Sequence, residues 1–209
     1  MRMFKTTIKS VLVLAIASLF FAGCANQPRY VDANHPESHK AQTMGLDYQD
    51  FKKASVEATQ SMLRSGAVNK RGGGRYVLAI STLINDTTQR IDMDQLIKSI
   101  RIALLQSGKV VVTTAVRAGG AEDTMSYDAR KLRKSSEFNQ KTVATKGQMI
   151  APDFSLSGKI IQRNATLNNG DTKVDYYFQL TLTDIKTGLA YWEGETVITK
   201  AGSGKSVNW

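Results

Sequence analysis

An α+β fold is predicted for this chain, a single domain with a mostly antiparallel sheet and helices packed mainly on one face. Three observations carry that prediction. Two amphipathic helical patterns, each with its own capping residue, alternate with short apolar runs in the N-terminal half. The C-terminal half alternates between apolar and polar residues, and two hairpin signals divide it into three strands. The folded part is expected over residues 45–200, with a C-terminal tail at 201–209.

The first helix is read over residues 47–64, where Phe51, Ala54, Ala58 and Met62 recur at three- and four-residue spacing. Asp47 is placed as its N-cap and Gly66 as its stop. Lys70-Arg71-Gly72-Gly73-Gly74-Arg75 then breaks the pattern, and the continuous apolar run Tyr76-Val77-Leu78-Ala79-Ile80 predicts a buried strand. Polar Asn85-Asp86-Thr87-Thr88 makes the next connection. The second helix has Asp92 as N-cap with Gln95 three residues on. Its apolar stripe is Leu96, Ile97, Ile100, Ala103 and Leu104, and Gly108 stands at its C-terminal end. Residues 109–116, rich in valine and threonine, predict a second strand.

Residues 117–147 are charged and poor in large apolar side chains, with one or two short helices expected around 127–138. Phe154, Leu156, Gly158 and Ile160 alternate as a third strand. After the hairpin signal Asn168-Asn169-Gly170-Asp171, Val174, Tyr176, Phe178, Leu180 and Leu182 line one face of a long fourth strand. The turn Asp184-Ile185-Lys186-Thr187-Gly188 leads into a fifth over residues 189–199, which completes an antiparallel meander.

Ahead of the folded part, residues 1–23 have the layout of a signal peptide: basic Arg2, Lys5 and Lys9, an apolar run over 11–21, then Ala22-Gly23. That run is about half the ~20 residues a bilayer-spanning helix needs. Phe21-Ala22-Gly23-Cys24 resembles the bacterial lipobox, which implies cleavage before Cys24 and attachment of lipid to its thiol. The family usually has Leu where Phe21 stands. At roughly 0.8 kcal/mol per buried methylene, several acyl chains make such attachment effectively permanent. Ala25 rather than Asp follows the cysteine, which resembles the sorting pattern for the outer membrane, with the protein facing the periplasm. Residues 24–44 hold Pro28 and Pro36 with little apolar content and are expected to form a flexible tether.

The chain carries a formal net charge of +10, and the signal peptide removes three positive charges and no negative ones. Export excludes nucleic acid as a partner, leaving membrane headgroups, cell-wall polymers, acidic protein surfaces, or a solubilising excess. Cys24 is the only cysteine, so no disulfide forms within the chain. The only histidines, His35 and His39, flank Pro36 in the tether, so the folded part lacks the residues for Ser-His-Asp, Cys-His or histidine-zinc chemistry. Glu193 and Glu195 lie on one face of a strand and read as a solvated edge. Gly202-Ser203-Gly204-Lys205-Ser206 lacks both the first glycine of a phosphate-binding loop and the helix that must follow one. No catalytic residue, metal site or cofactor is therefore expected. Binding candidates are Tyr127 beside the basic cluster Arg130, Lys131, Arg133 and Lys134, then Tyr177 on the polar face of its strand, and Tyr191.

The folded region resembles the LpoB-type lipoprotein activators of penicillin-binding proteins. The matching stretches are Gly45-Leu46-Asp47-Tyr48, residues 76–82 with Asn85-Asp86-Thr87-Thr88, residues 91–107 with Gly108-Lys109, and 153–158. The last is 176–183 leading through Asp184 and Thr187-Gly188 to Tyr191-Trp192. The resemblance implies a fold similar to the N-terminal domain of TolB and a non-enzymatic role. It also implies a partner, a bifunctional class A penicillin-binding protein whose peptidoglycan synthesis it stimulates from the outer membrane. The best-known members have a long proline-rich linker, whereas this tether has about 20 residues, at most about 70 Å when fully extended. The alternative is a structural lipoprotein of an outer-membrane or flagellar assembly.

Changing Cys24→Ser is expected to leave an unlipidated precursor that no longer fractionates with the outer membrane. Normal processing and membrane fractionation of that variant, followed by immunoblot, would refute lipidation.

Overall fold

The computed structural model describes residues 43–203. Cys24, His35, His39 and the proposed tether lie outside those residues. In order, the elements are helix α1 (Tyr48–Ser65), strand β1 (Tyr76–Asp86), helix α2 (Met93–Gln106), strand β2 (Val110–Val112) and helix α3 (Met125–Lys131). A single 3-10 turn (Leu132–Lys134) follows, and then β3 (Phe154–Thr166), β4 (Thr172–Asp184) and β5 (Ala190–Gly202). The strands form one sheet in the order β2-β1-β3-β4-β5.

Local chemistry sets the ends of both long helices. The Asp47 carboxylate accepts from the Gln49 and Asp50 N–H groups at 2.8 and 3.1 Å, while the Asp50 side chain accepts from the Asp47 N–H at 2.9 Å. This is a capping box with Asp in the position usually held by Glu. Gly66, at φ 78°, closes α1 in the left-handed region. Asp92 caps α2 through the Asp94 and Gln95 N–H groups.

Both helices bury their stripes on one face of the sheet. Phe51, Ala54, Ala58 and Met62 of α1 join Leu96, Ile97, Ile100 and Leu104 of α2 in one core. Facing them are Leu78, Ile80 and Leu83 of β1, Phe154, Leu156 and Ile160 of β3, Val174 to Leu182 at alternate positions of β4, and Trp192 and Ile198 of β5. Phe51 meets Phe178 edge-on at 6.4 Å. The Trp192 ring lies over Gly194, where a Cβ would come within 2.2 Å of ring carbon, so position 194 admits no side chain without moving the indole.

The sheet is mixed. The long ladders, β3 with β4 and β4 with β5, are antiparallel as predicted, whereas β1 runs parallel to both β2 and β3. Four strand bounds differ from the sequence-based expectation: β5 runs to Gly202 instead of 199 because it pairs with β4 as far as Thr172, and the other three each have a visible reason. Strand β1 continues to Asp86 through a register shift between Ile80 and Leu83, which breaks the alternation by which a strand is recognised. Strand β2 ends at Val112 rather than 116: Thr113 still donates to the Leu78 carbonyl at 2.8 Å, but the Thr114 carbonyl accepts from Glu122 and Asp123, drawing the chain away. Strand β3 extends to Thr166 because Gln162, though polar, faces inward and bonds the Thr88 backbone and hydroxyl at 3.2 and 3.1 Å. The short helices occupy 125–134, slightly earlier than the expected 127–138.

The start of the described chain is fastened to the far strands. The Tyr176 hydroxyl, fully buried, donates to the Met44 carbonyl at 3.0 Å. Lys200 of β5 donates to the Gly45 carbonyl at 2.6 Å and pairs with Asp50 at 2.5 Å. Since Ile100 is 2% exposed at the centre of this core, Ile100→Ala is expected to cost on the order of 2–5 kcal/mol through lost burial and a cavity. An unchanged denaturant midpoint would show the phase of α2 to be wrong.

Candidate functional site

The candidate residues fall into three groups on different elements. The first is the basic cluster. Tyr127, Arg130 and Lys131 lie on α3 and Arg133 and Lys134 on the turn after it, all within the connection between β2 and β3. That connection is held to α2 by charge. The Arg101 guanidinium forms a two-pronged contact with the Glu122 carboxylate, one arm at 2.6 Å, and Arg117 meets Asp94 at 2.8 Å. The Arg101 side chain is only 8% exposed and that of Glu122 34%. Much of the cluster is already engaged: Lys131 pairs with Asp128 at 2.6 Å, Arg130 bonds the Ser126 carbonyl, and Arg133 reaches the Ala144 carbonyl at 3.2 Å. The half-exposed Tyr127 donates to the Ala115 carbonyl at 3.1 Å. Sequence reasoning missed the burial of Arg101, because an arginine on the margin of an apolar stripe looks like a solvated helix residue until its acceptor is known.

The second group is the open face of the sheet. Tyr177 stands there between its ladder neighbours Ile161 and Val197. Around this apolar trio the face is polar: Gln179 donates to Glu195 at 2.8 Å, Thr181 to Glu193 at 3.2 Å, and Lys159 pairs with Asp86 at 2.7 Å. Glu193 and Glu195 thus sit on a solvated face beside hydrogen-bonding side chains, with Gly194 between them on the core side.

The third is one end of the sheet, where Tyr191 is the extra residue of a β-bulge. Leu182 pairs with Trp192 and Thr183 with Ala190, leaving Tyr191 without a partner across the ladder. The bulge re-aims its ring, which by simple alternation would point to the open face, onto buried Phe154 at 5.1 Å. Phe154 in turn meets Tyr76 at 4.8 Å and 82°, and the Lys70 ammonium lies 5.0 Å from the centre of the Tyr76 ring. An aromatic row therefore runs from β1 through β3 to β5.

Asp153 organises that end. Its carboxylate accepts from the Val77 N–H at 2.8 Å and lies 3.5 Å from Lys70; its own N–H donates to the Val77 carbonyl at 2.7 Å, and its carbonyl accepts from the Ile185 N–H at 3.0 Å. Three connections are thereby gathered: 66–75, 135–153 and 185–189. In the first, Gly72, Gly73 and Gly74 all have φ between 83° and 89°, a conformation that side-chain-bearing residues rarely adopt. Among the described residues no group of His, Cys, Asp or Glu has the arrangement to hold a metal ion, and no helix is long and apolar enough to cross a membrane.

A family model described as "Peptidoglycan-synthase activator LpoB" matches residues 50–198. No curated protein matches the sequence. Among solved structures, the chain is similar to the LpoB C-terminal domain from Escherichia coli at 14% identity, over 72% of this chain and 99% of that one, with a TM-score of 0.42. For the LpoB C-terminal domain from Salmonella enterica the values are 15%, 71%, 98% and 0.43. For the solution structure of LpoB from E. coli they are 14%, 87%, 85% and 0.40.

The attachment of the basic cluster's segment to α2 is expected to depend on pH. Arg101 holds the Glu122 carboxyl below its ordinary value of 4.5, outweighing the opposing effect of burial. A carboxyl depressed on folding contributes stability that is complete above its unfolded value and lost as pH falls through the folded one. Glu122→Gln is thus expected to cost roughly 2–3 kcal/mol at pH 7, less than a fully buried pair because Glu122 keeps a third of its side chain in water. The gap between variant and parent in urea unfolding should narrow as pH is lowered below 4.5; a gap that stays constant refutes the ion pair.

Proposed function

Because the chain belongs to the LpoB family of peptidoglycan-synthase activators, we propose that it binds and activates a bifunctional class A penicillin-binding protein. The observation that carries this reading is the span of the family match. Residues 50–198 take in both long helices and nearly the whole sheet, so the likeness lies in the domain and not in a single motif. The family is one of regulators, and the role is that of a binding partner that shifts a synthase toward its active state, not of a catalyst.

In this reading Cys24 carries lipid and anchors the chain in the outer membrane, facing the periplasm, and the residues up to Thr43 supply reach. Anchoring contributes location and effective concentration and leaves the contact itself to the domain. Three surfaces compete for that contact. One is the α3 cluster of Tyr127, Arg130, Lys131, Arg133 and Lys134, another is the open face of the sheet with Tyr177, and the third is the end of the sheet with Tyr191. The local bonds of Arg130, Lys131 and Arg133 count against the first, since a cation already paired gains less from a new partner.

A soluble form beginning at Thr43 is expected to stimulate glycan polymerisation by a class A synthase of the same organism, measured by incorporation of labelled lipid-linked precursor. Failure to bind or stimulate any such synthase removes the activator reading and promotes a structural lipoprotein of an envelope assembly.

A further inference from the structure

The two ends of the sheet are chemically unlike. At one end the chain enters: Met44 and Gly45 are held by Tyr176 and Lys200, which stand beside Val174, near the start of β4. At the other end, ten residues along β4, stand Asp184, Phe154 and Ala190. At about 3.3 Å per strand residue the two ends are separated by roughly 33 Å.

The far end carries the exposed apolar side chains Leu189 at 61% and Tyr191 at 52%, with Ile185 also exposed. Ile150, near the Asp153 junction, is 74% exposed. The cations Arg71, Arg75 and Lys186 are exposed in the same connections, and Lys70 lies half-buried beside Tyr76. The carboxylates of this end are occupied from within: Asp153 by Val77 and Lys70, Asp184 by the Thr187 N–H and hydroxyl at 2.7 and 2.9 Å. Arg71 and Arg75, by contrast, bond no side chain among the described residues. The result is an apolar and aromatic centre with a basic rim, and Tyr191 is braced by a buried ring before any partner arrives. Tyrosine and arginine are the residue types that dominate binding energy at interfaces, and a ring already held in place loses little entropy on docking.

We propose that this far end is the surface that docks the synthase, and that it takes an apolar hollow rimmed by carboxylates on the partner. The assignment rests on the activator reading. Charge complementarity gives the partner its acidic rim. At the entry end, by contrast, Lys200 is largely buried and already paired with Asp50 and Asp47.

The test uses the whole lipoprotein purified in detergent and, as probes, the class A penicillin-binding proteins of the same organism. Tyr191→Ala and the double change Arg71→Glu with Arg75→Glu are each expected to weaken binding by about 30-fold or more, the fold-change that ~2 kcal/mol at a hot spot represents. Tyr191→Phe keeps the ring and should bind within about threefold of the parent, as should reversal of Arg130, Lys131, Arg133 and Lys134 to Glu. Since Tyr191→Ala removes a contact with Phe154, the arginine pair decides the matter if that variant unfolds. Unchanged affinity of the arginine variant overturns the docking assignment and leaves the activator reading standing. Failure of the unaltered chain to bind any synthase overturns both. A dimer in sedimentation velocity that these variants dissociate, with synthase affinity unchanged, assigns the surface to a second copy of the chain and likewise overturns the proposal.

Discussion

Asp153 is the residue on which the far end of the molecule depends. One side chain and one peptide unit serve three separate stretches of chain: the carboxylate takes the Val77 N–H and lies near Lys70, the N–H reaches the Val77 carbonyl, and the carbonyl takes the Ile185 N–H. Bonds between strand neighbours are interchangeable, but these are not, because no other residue at that end offers a carboxylate together with two backbone groups directed at β1 and at the β4–β5 turn. They set β1 against β3 at Leu78 and Phe154, and that register brings Tyr76 within 4.8 Å of Phe154. A hydrogen bond of this kind is worth about 1 kcal/mol net, and the Asp153 side chain keeps over a third of its surface in water, so its bonds act by setting register and not by burial.

The entry end is closed by different chemistry for the same purpose. Tyr176 is buried deeply enough that its hydroxyl is pushed up to about 12, chiefly by loss of water and secondarily by the Asp50 charge, so it remains a neutral donor to the Met44 carbonyl. Lys200 is more than four-fifths buried and is balanced by Asp50 and Asp47 of the helix cap. The capping box thus does two jobs, ending α1 and supplying the counter-charge that lets a lysine lie under the chain. Between these polar junctions the core is apolar and continuous. A sheet fixed at both ends and packed on one face is held rigid along its length.

The connection between β2 and β3 is organised by charge rather than by burial. None of the α3 residues is buried, and the segment is held by Arg101 with Glu122, Arg117 with Asp94, and backbone turns. One nitrogen of Arg101 stays buried without an acceptor, so even this latch leaves a polar group unsatisfied. A regulator contacting a synthase gains from presenting few, well-braced side chains instead of a broad apolar area, which on a lone lipoprotein would invite aggregation. The far end of the sheet meets that description more closely than the α3 cluster, whose cations are largely spent on their own neighbours.

Sequence alone determined whatever depends on neighbours within a few residues. The caps Asp47 and Asp92, the stops Gly66 and Gly108, the alternation over β4 and the two hairpin turns are all local, because helix ends and tight turns are satisfied by groups two to five residues away. Tyr191 was recognisable as an exposed aromatic, and the Lys70–Arg75 stretch as a break in the pattern. Their meeting was not, since Lys70, Phe154 and Tyr191 are far apart in the chain and a bulge reverses the face that alternation assigns to Tyr191. Only the tertiary structure decided the parallel pairing of β1, the early end of β2, the inward turn of Gln162 and the burial of Arg101. Each was settled by a partner from a distant part of the chain, and a polar side chain or an unpaired strand edge carries no mark of that partner until the fold supplies it.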